Sequence, residues 1–405
     1  MFCILYLFSF GQESTATLLS YVGNETPNSS SLLNPNSALF TVNEWEEIFK
    51  LNHTLRYTQF TIDWQVSSQS TEFKKSDFKM TLREMFYDVS LTDQLDLSIG
   101  RKLFKEGSGY YKNPAAYLNV KKQAGDISDR LKSNEGRDII GLNYFFDSSD
   151  LQIVYSPNYT IEQWKTDIKS HDITAKYYFL KWDTDISFVY NYRSTLSDRF
   201  GVILANTVSD ALEVHAEASV QYGTEKTYHK NIDPSKPHQV YQTLPYATER
   251  EDRWISQVLF GLNYTSSFGL NIIAEYSYDG DGLSKSEWNN LVHYTNYLLK
   301  LSTQPMTDIA REGVYNNIKW VAYSLNQQKE YLFVRAAQPI KDIELSAISI
   351  HNLYDGSAVL IGQLDYSIFG INTVFQSMWF TGKQTSDYGT LFSDHELSLQ
   401  IAYHF

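Results

Sequence analysis

The sequence predicts an all-β fold, a transmembrane antiparallel up-and-down β-barrel of sixteen strands whose long outer loops carry short helices. Three observations predict it. First, the last eleven residues alternate to the end: Leu397, Leu399, Ile401, Tyr403 and Phe405 share one face, and Glu396, Ser398, Gln400 and His404 the other. Termini fray unless something ties them down, and a closed barrel supplies the tie because its last strand pairs with its first. Tyr403 and Phe405 are therefore the residues expected at barrel closure. Second, strand-like segments recur from about residue 52 onward, separated by alternately short and long connections. Third, no run approaches the roughly 18 apolar residues of a spanning helix, yet the chain holds 30 Tyr, 23 Phe and 8 Trp.

The chain order divides into an opening, a lead-in and the barrel. Residues 1–11 are apolar at Phe2, Ile4, Leu5, Tyr6, Leu7 and Phe8, with small residues at Ser9 and Gly11, and read as a signal peptide without the usual basic start. Cys3, the single cysteine, lies within it, so neither a disulfide framework nor a zinc-thiolate site is expected. Residues 12–51 are polar and mixed and read as a periplasmic lead-in; residues 52–405 read as the barrel.

Within the barrel, strands are expected near 53–66, 80–90, 95–106, 138–146, 151–157, 172–180, 185–192, 199–206, 211–222, 254–264, 270–279, 329–337, 342–351, 358–366, 371–380 and 395–405. Short connections at 91–94, 147–150, 181–184, 207–210, 265–269, 338–341 and 367–370 mark one end. Gly261-Leu262-Asn263-Tyr264 and Leu364-Asp365-Tyr366 each place a Tyr just before such a turn, as an aromatic girdle does. The mostly longer connections mark the other end. In the longest, Trp288, Leu291, Thr295 and Leu298 follow helical spacing between Ser284 and Lys300, and Ile318, Ala322 and Leu325 do so within 316–325, which predicts two short helices.

The clearest wall strand alternates Leu212, Val214, Ala216, Ala218, Val220 and Tyr222 with Glu213, His215, Glu217, Ser219 and Gln221. A basic residue facing hydrocarbon at mid-wall costs about 2–4 kcal/mol, an acidic one less. The polar face is thus expected inward, with Glu213, His215, Glu217, Glu275 and Asn271 lining a pore. Glu213 and Glu217 around His215 resemble a metal or acid–base cluster, but i and i+4 of a strand lie about 13 Å apart. His351, His395 and His404 are scattered and no HExxH spacing occurs, so no metal, cofactor or catalytic residue is assigned and no enzyme is expected.

The net charge of −13 argues against nucleic-acid binding, which needs a positive face. One segment runs against it. Between 101 and 137 lie Arg101, Lys102, Lys105, Lys112, Lys121, Lys122, Arg130, Lys132 and Arg137, against four acidic residues: Glu106, Asp126, Asp129 and Glu135. Folded inward, such a loop would narrow the bore and bias it toward anions, with Arg101, Lys105, Lys112, Lys121, Lys122, Arg130 and Arg137 as constriction residues. Left outside, its charges would meet lipopolysaccharide phosphates or water.

Gly100-Arg101 at a strand end, followed by Gly107-x-Gly109-Tyr110-x-x-Asn113-Pro114, resembles porin-like outer-membrane proteins of Gram-negative bacteria. The Leu33-Asn34-Pro35 lead-in and the Tyr331-Leu332-Phe333-Val334-Arg335 and Asn352-Leu353-Tyr354-Asp355-Gly356-Ser357 segments are similar to that group as well. The resemblance implies a barrel, export to the bacterial outer membrane, and contact with outer-membrane lipid, lipopolysaccharide and, through the C-terminal strand, the barrel-assembly machinery. With the residues, it leads to a passive channel for small hydrophilic solutes. A lipid-acting enzyme with a Ser–His pair at the lipid-facing rim, and an adhesive barrel binding through loops 223–253 and 280–328, are the alternatives.

Overall fold

Backbone amides in a sheet need partners on both sides, and a ring of strands meets that need without leaving an edge. The computed structural model, which describes residues 13–32, 44–72, 77–119, 135–162, 165–224, 228–229, 246–247, 253–301 and 327–405, is such a ring. Its wall is an 18-stranded antiparallel sheet. The strands are β1 (Glu13–Pro27), β2 (Trp45–Tyr57), β3 (Phe60–Thr71), β4 (Asp77–Thr92), β5 (Leu95–Lys102) and β6 (Arg137–Phe145). Next come β7 (Ser149–Glu162), β8 (Lys165–Lys181), β9 (Thr184–Arg193), β10 (Arg199–Ser209), β11 (Leu212–Tyr222) and β12 (Trp254–Thr265). β13 (Asn271–Asp279), β14 (Glu330–Ile340), β15 (Ile343–Asn352), β16 (Ala358–Ile368), β17 (Ile371–Thr381) and β18 (Ser393–His404) complete it.

Each strand pairs with its neighbours in sequence, and β18 pairs with β1 from Thr17↔His404 to Pro27↔Ser393. Two further bonds tie the last residue: Ala16 N donates to Phe405 O at 2.8 Å, and Phe405 N to Ala16 O at 3.0 Å. Tyr403 stands opposite Leu18 in this seam.

Two expectations about the count are corrected here. The segment taken as lead-in holds β1 and most of β2, so the barrel begins at residue 13 rather than 52. The single strand expected at 53–66 is two, reversing at Thr58-Gln59. That turn contains no Gly, Pro, Asn or Asp, and Thr58 itself adopts the left-handed conformation at φ 48°. Eighteen strands keep the start of β1 and the end of β18 at the turn end of the barrel. The proposed signal peptide lies outside the described residues.

The connections at 58–59, 93–94, 146–148, 182–183, 210–211, 266–270, 341–342 and 369–370 gather at that end, and the longer ones at the other. Among the described residues one helix, α1 (Lys285–Leu301), lies in the longest loop. It starts in a reciprocal cap, with Ser284 N donating to Glu287 Oε2 at 2.6 Å and Glu287 N to Ser284 Oγ at 3.3 Å. Its buried face carries Trp288 and Leu291. The second helix, expected at 316–325, falls outside the described residues.

Face assignment follows from exposure. Leu397, Leu399, Ile401 and Tyr403 are exposed on the outer surface, while Ser398 and Ala402 between them are buried. On β11, His215 and Glu217 are buried on the inner side, which puts Leu212 and Val214 outside. A bulge in β4 resets this parity. Asp63 pairs with Glu84 and Trp64 with Leu82, so Arg83 is the extra residue; it reaches Asp63 at 3.1 Å.

The inner face is not polar throughout. Tyr331, Phe333, Ile348, Ile350, Val359, Ile361 and Met378, from β14–β17, pack with Ile273, Tyr111 and Tyr388 into a buried apolar cluster. The charged pairs Asp63–Arg83, Asp88–Lys102 and Asp172–Arg137 lie instead on β3–β8. The inner face of β14–β17 is therefore mainly apolar, with the Arg335–Glu344 pair at 2.7 Å toward the turn end, and that of β3–β8 is ionic.

The outward apolar face suits hydrocarbon. Leu399→Arg, mid-strand on that face, is expected to lower unfolding stability in lipid vesicles by about 2–4 kcal/mol. Gln400→Arg, its inward neighbour, is expected to stay near wild type. Denaturant titration of both variants checks this, and the reverse ranking would invert the face assignment.

Candidate functional site: a loop clamped inside the barrel

After β5 the chain turns inward. Gly100, two residues before the end of β5, stands at φ 126°, where a Cβ would collide with Met85 O. The described part of the following segment, residues 103–119, then runs along the inner wall. Leu118 packs on Ile139 and Val154, from β6 and β7. Ala115 and Tyr117 pack on Val189 and Ile203, from β9 and β10. Tyr111 stacks on Phe333 of β14 with ring centroids 5.4 Å apart and planes at 8°.

Two wall carboxylates hold the backbone of this loop. Glu217 Oε1 accepts from Ser108 N at 2.6 Å, Gly109 N at 3.2 Å and Ser108 Oγ at 3.3 Å, and its Oε2 accepts from Ala115 N at 3.2 Å. Glu275 Oε1 accepts from Tyr110 N at 2.6 Å, and its Oε2 from Tyr111 N at 2.7 Å. His215 Nε2 lies 2.9 Å from Glu275 Oε1 and steadies that carboxylate from the side. A loop without regular structure leaves amides unpaired, and an ionised acceptor is a strong partner for them. Gly107 permits the approach: at φ 91° a Cβ would lie 2.6 Å from Glu217 Oε1. Within the loop, the Asn119 side chain bonds both the N and the O of Glu106 at 2.7 Å. The Glu106 carboxylate reaches Lys176 of β8 at 3.1 Å.

The structure thus changes the part played by several residues expected from sequence. His215, Glu217 and Glu275 do point inward, but they are buried beneath the loop and hold it instead of facing a water path. Glu213 shares their face and is half-buried. Asn271 donates to Asn263 Oδ1 at 2.6 Å and accepts from Arg335 Nη1 at 3.2 Å near the turn end.

Arg101 is not a constriction residue. It shares the outward face of β5 with Leu97 and Ile99 and makes a two-pronged pair with Asp138 at 2.9 Å on each prong. Arg137 faces inward, 3.7 Å from Asp172. Lys105 lies exposed in the loop. The Lys112 ammonium sits over the rings of Tyr111 and Tyr331, at 5.3 and 5.1 Å. Lys121, Lys122 and Arg130 lie outside the described residues.

Sequence reasoning missed other inward cations. Arg199 lies 4.5 Å over the Tyr117 ring and donates to Asn191 Oδ1, at 2.8 Å from Nη2. Arg193 donates to Ser197 O. Both bracket the short 194–198 loop at inward positions of their strands, a parity signal that was available.

The outward wall does carry Ser–His contacts. Ser349 Oγ lies 2.6 Å from His351 Nε2, and Ser377 Oγ 2.8 Å from His395 Nε2. Among the described residues neither ring has a partner at Nδ1, so the third group that orients a nucleophile's base is missing.

No protein-family model matches this sequence, and no curated protein matches it. Solved structures do, at low identity and over nearly the whole chain. OccK11 (OpdR) of Pseudomonas aeruginosa is 11% identical, covers 98% of this chain and 97% of its own, and has a TM-score of 0.54. A BenF-like porin from Pseudomonas fluorescens is 10% identical, with coverage of 98% and 100% and a TM-score of 0.54. The outer membrane protein opdK of Pseudomonas aeruginosa is 8% identical, with coverage of 98% and 100% and a TM-score of 0.53. What this chain shares with them is the fold, a closed antiparallel barrel.

Proposed function

We propose that this protein is a non-enzymatic outer-membrane channel for passive diffusion of small hydrophilic solutes. The observation that carries the reading is the loop at 103–119, clamped to the inner wall of a wide closed barrel. An 18-stranded ring is too wide for its own side chains to fill, and a loop fixed against the inner wall narrows the space. The apolar outer face and the ionic inner face of β3–β8 support the same reading. So does the likeness in fold to the BenF-like porin.

Selectivity is assigned differently from a simple ring of lumen carboxylates. Glu217 and Glu275 are covered, so the charged contribution to the path comes from the pairs on β3–β8, Glu106–Lys176 among them, and from Arg193 and Arg199. The lipid-enzyme reading has the two Ser–His contacts in its favour and lacks the orienting group. Contact of the outer face with lipid and lipopolysaccharide belongs to the channel reading, as does assembly through the C-terminal strand.

Purified protein in planar bilayers is expected to give discrete current steps that scale with salt concentration, and their absence would sink the channel reading. Glu275→Gln should raise the step size and speed amide exchange at 108–111. Glutamine brings an N–H₂ toward two amide donors and gives up charge-assisted bonds that contribute roughly 1.5–3 kcal/mol each. Unchanged conductance together with unchanged exchange would show that Glu275 does not hold the loop.

A further inference from the structure

A second buried carboxyl network, apart from the clamp, stands at the loop end. Asp387, in the 382–392 connection between β17 and β18, is buried. Its Oδ2 accepts from Tyr331 OH at 2.5 Å and Asn352 Nδ2 at 3.2 Å. The backbone N of the same residue donates to Asp355 Oδ2 at 2.8 Å, and Gln328 Nε2 donates to that oxygen at 3.0 Å. Asp355 Oδ1 accepts from Ser357 N and Oγ, at 2.9 and 2.6 Å. Two carboxyl groups thus share one network that joins the connections after β13, β15 and β17.

This network touches the constriction. Tyr331, whose hydroxyl binds Asp387, lies in the apolar cluster with Tyr111 and Tyr388, and its ring carries the Lys112 ammonium. On the outer side, Trp288 Nε1 of α1 donates to Thr385 O at 2.7 Å, and Asn28 and Ser31 bond the carbonyls of Gly389, Leu391 and Thr390. The titratable and charged groups facing Asp387 are then Asp355, Tyr331, Tyr388, Tyr111 and Lys112. Trp288 of α1 and Asn28 and Ser31 reach the 382–392 connection, and Gln328 reaches Asp355, through neutral groups.

We propose that the Asp387–Asp355 pair is an acid-operated latch: a proton taken up from the loop-end side holds the 382–392 connection docked and, through Tyr331, steadies the constriction loop. The proposal rests on the channel reading and adds its regulation. Burial, with the nearby Asp355 charge adding to it, pushes the Asp387 carboxyl up to about 6 from an ordinary 3.8. A carboxyl raised in the docked state binds its proton more tightly docked than released, so docking strengthens as the pH falls below about 6 and weakens as it rises through that value. Acid therefore quiets the loop and neutral solution loosens it.

The test is single-channel recording with the pH varied on the loop-end side alone, between about 5 and about 7.5, the range in which this proton is exchanged. Wild type is expected to show several-fold more transitions between conductance levels at the higher pH. Asp387→Asn, neutral at every pH, should be quiet at both. Tyr331→Phe keeps the ring and removes the hydroxyl link, and should transmit no pH step to the constriction. Channels in which Asp387→Asn retains the wild-type step, or which ignore loop-end pH, overturn the latch and leave the channel reading standing. Absence of current steps at every pH overturns both.

Discussion

Closure of the hydrogen-bond ladder between β18 and β1 is the constraint on which the rest depends. A sheet of this width with two free edges would expose rows of unpaired amides and carbonyls, which hydrocarbon cannot satisfy. Closing it with antiparallel pairs fixes an even strand number and places the start of β1 and the end of β18 at the same rim. It also gives every side chain one of two destinations. The alternation of each strand then decides which residues meet the outside and which meet the interior.

The interior is organised by a second requirement, that the backbone of an irregular loop also find partners. Glu217 of β11 and Glu275 of β13 meet it, and Gly107 gives the room. The aromatic and aliphatic contacts of Tyr111, Tyr117 and Leu118 spread the loop along the wall from β6 to β14. Hydrogen bonds set its position at a few points, and apolar packing holds the lengths between them.

The barrel was legible in the sequence wherever the two faces contrast, as in β11 and β18. It was not legible in β1, whose outward positions run Leu18, Ser20, Val22, Asn24 and Thr26, too mixed to stand out. The β2–β3 reversal left a subtler trace: apolar positions are odd at Leu51, Leu55 and Tyr57 and even at Phe60, Ile62, Trp64 and Val66. That switch of parity, not any turn residue, marks Thr58-Gln59. At the site, the inward direction of Glu217 and Glu275 could be read, but what they bind could not, because their partners are backbone amides of a distant loop. Arg101 was misplaced although Leu97 and Ile99 already showed its side of the strand. The Asp387 network joins three connections that alternation says nothing about.

The apolar cluster on the inner side of β14–β17 has a mechanical consequence. Packed side chains resist compression, so that arc of the ring behaves as a stiff shell lined with its own filling. The opposite arc, β3–β8, is held along its inner face by ionic pairs between nearby strands that can lengthen and re-form. Elastic distortion of the cylinder concentrates there, and any body pressing through from rim to rim would flex that flank and slide along the other as along a fixed rail.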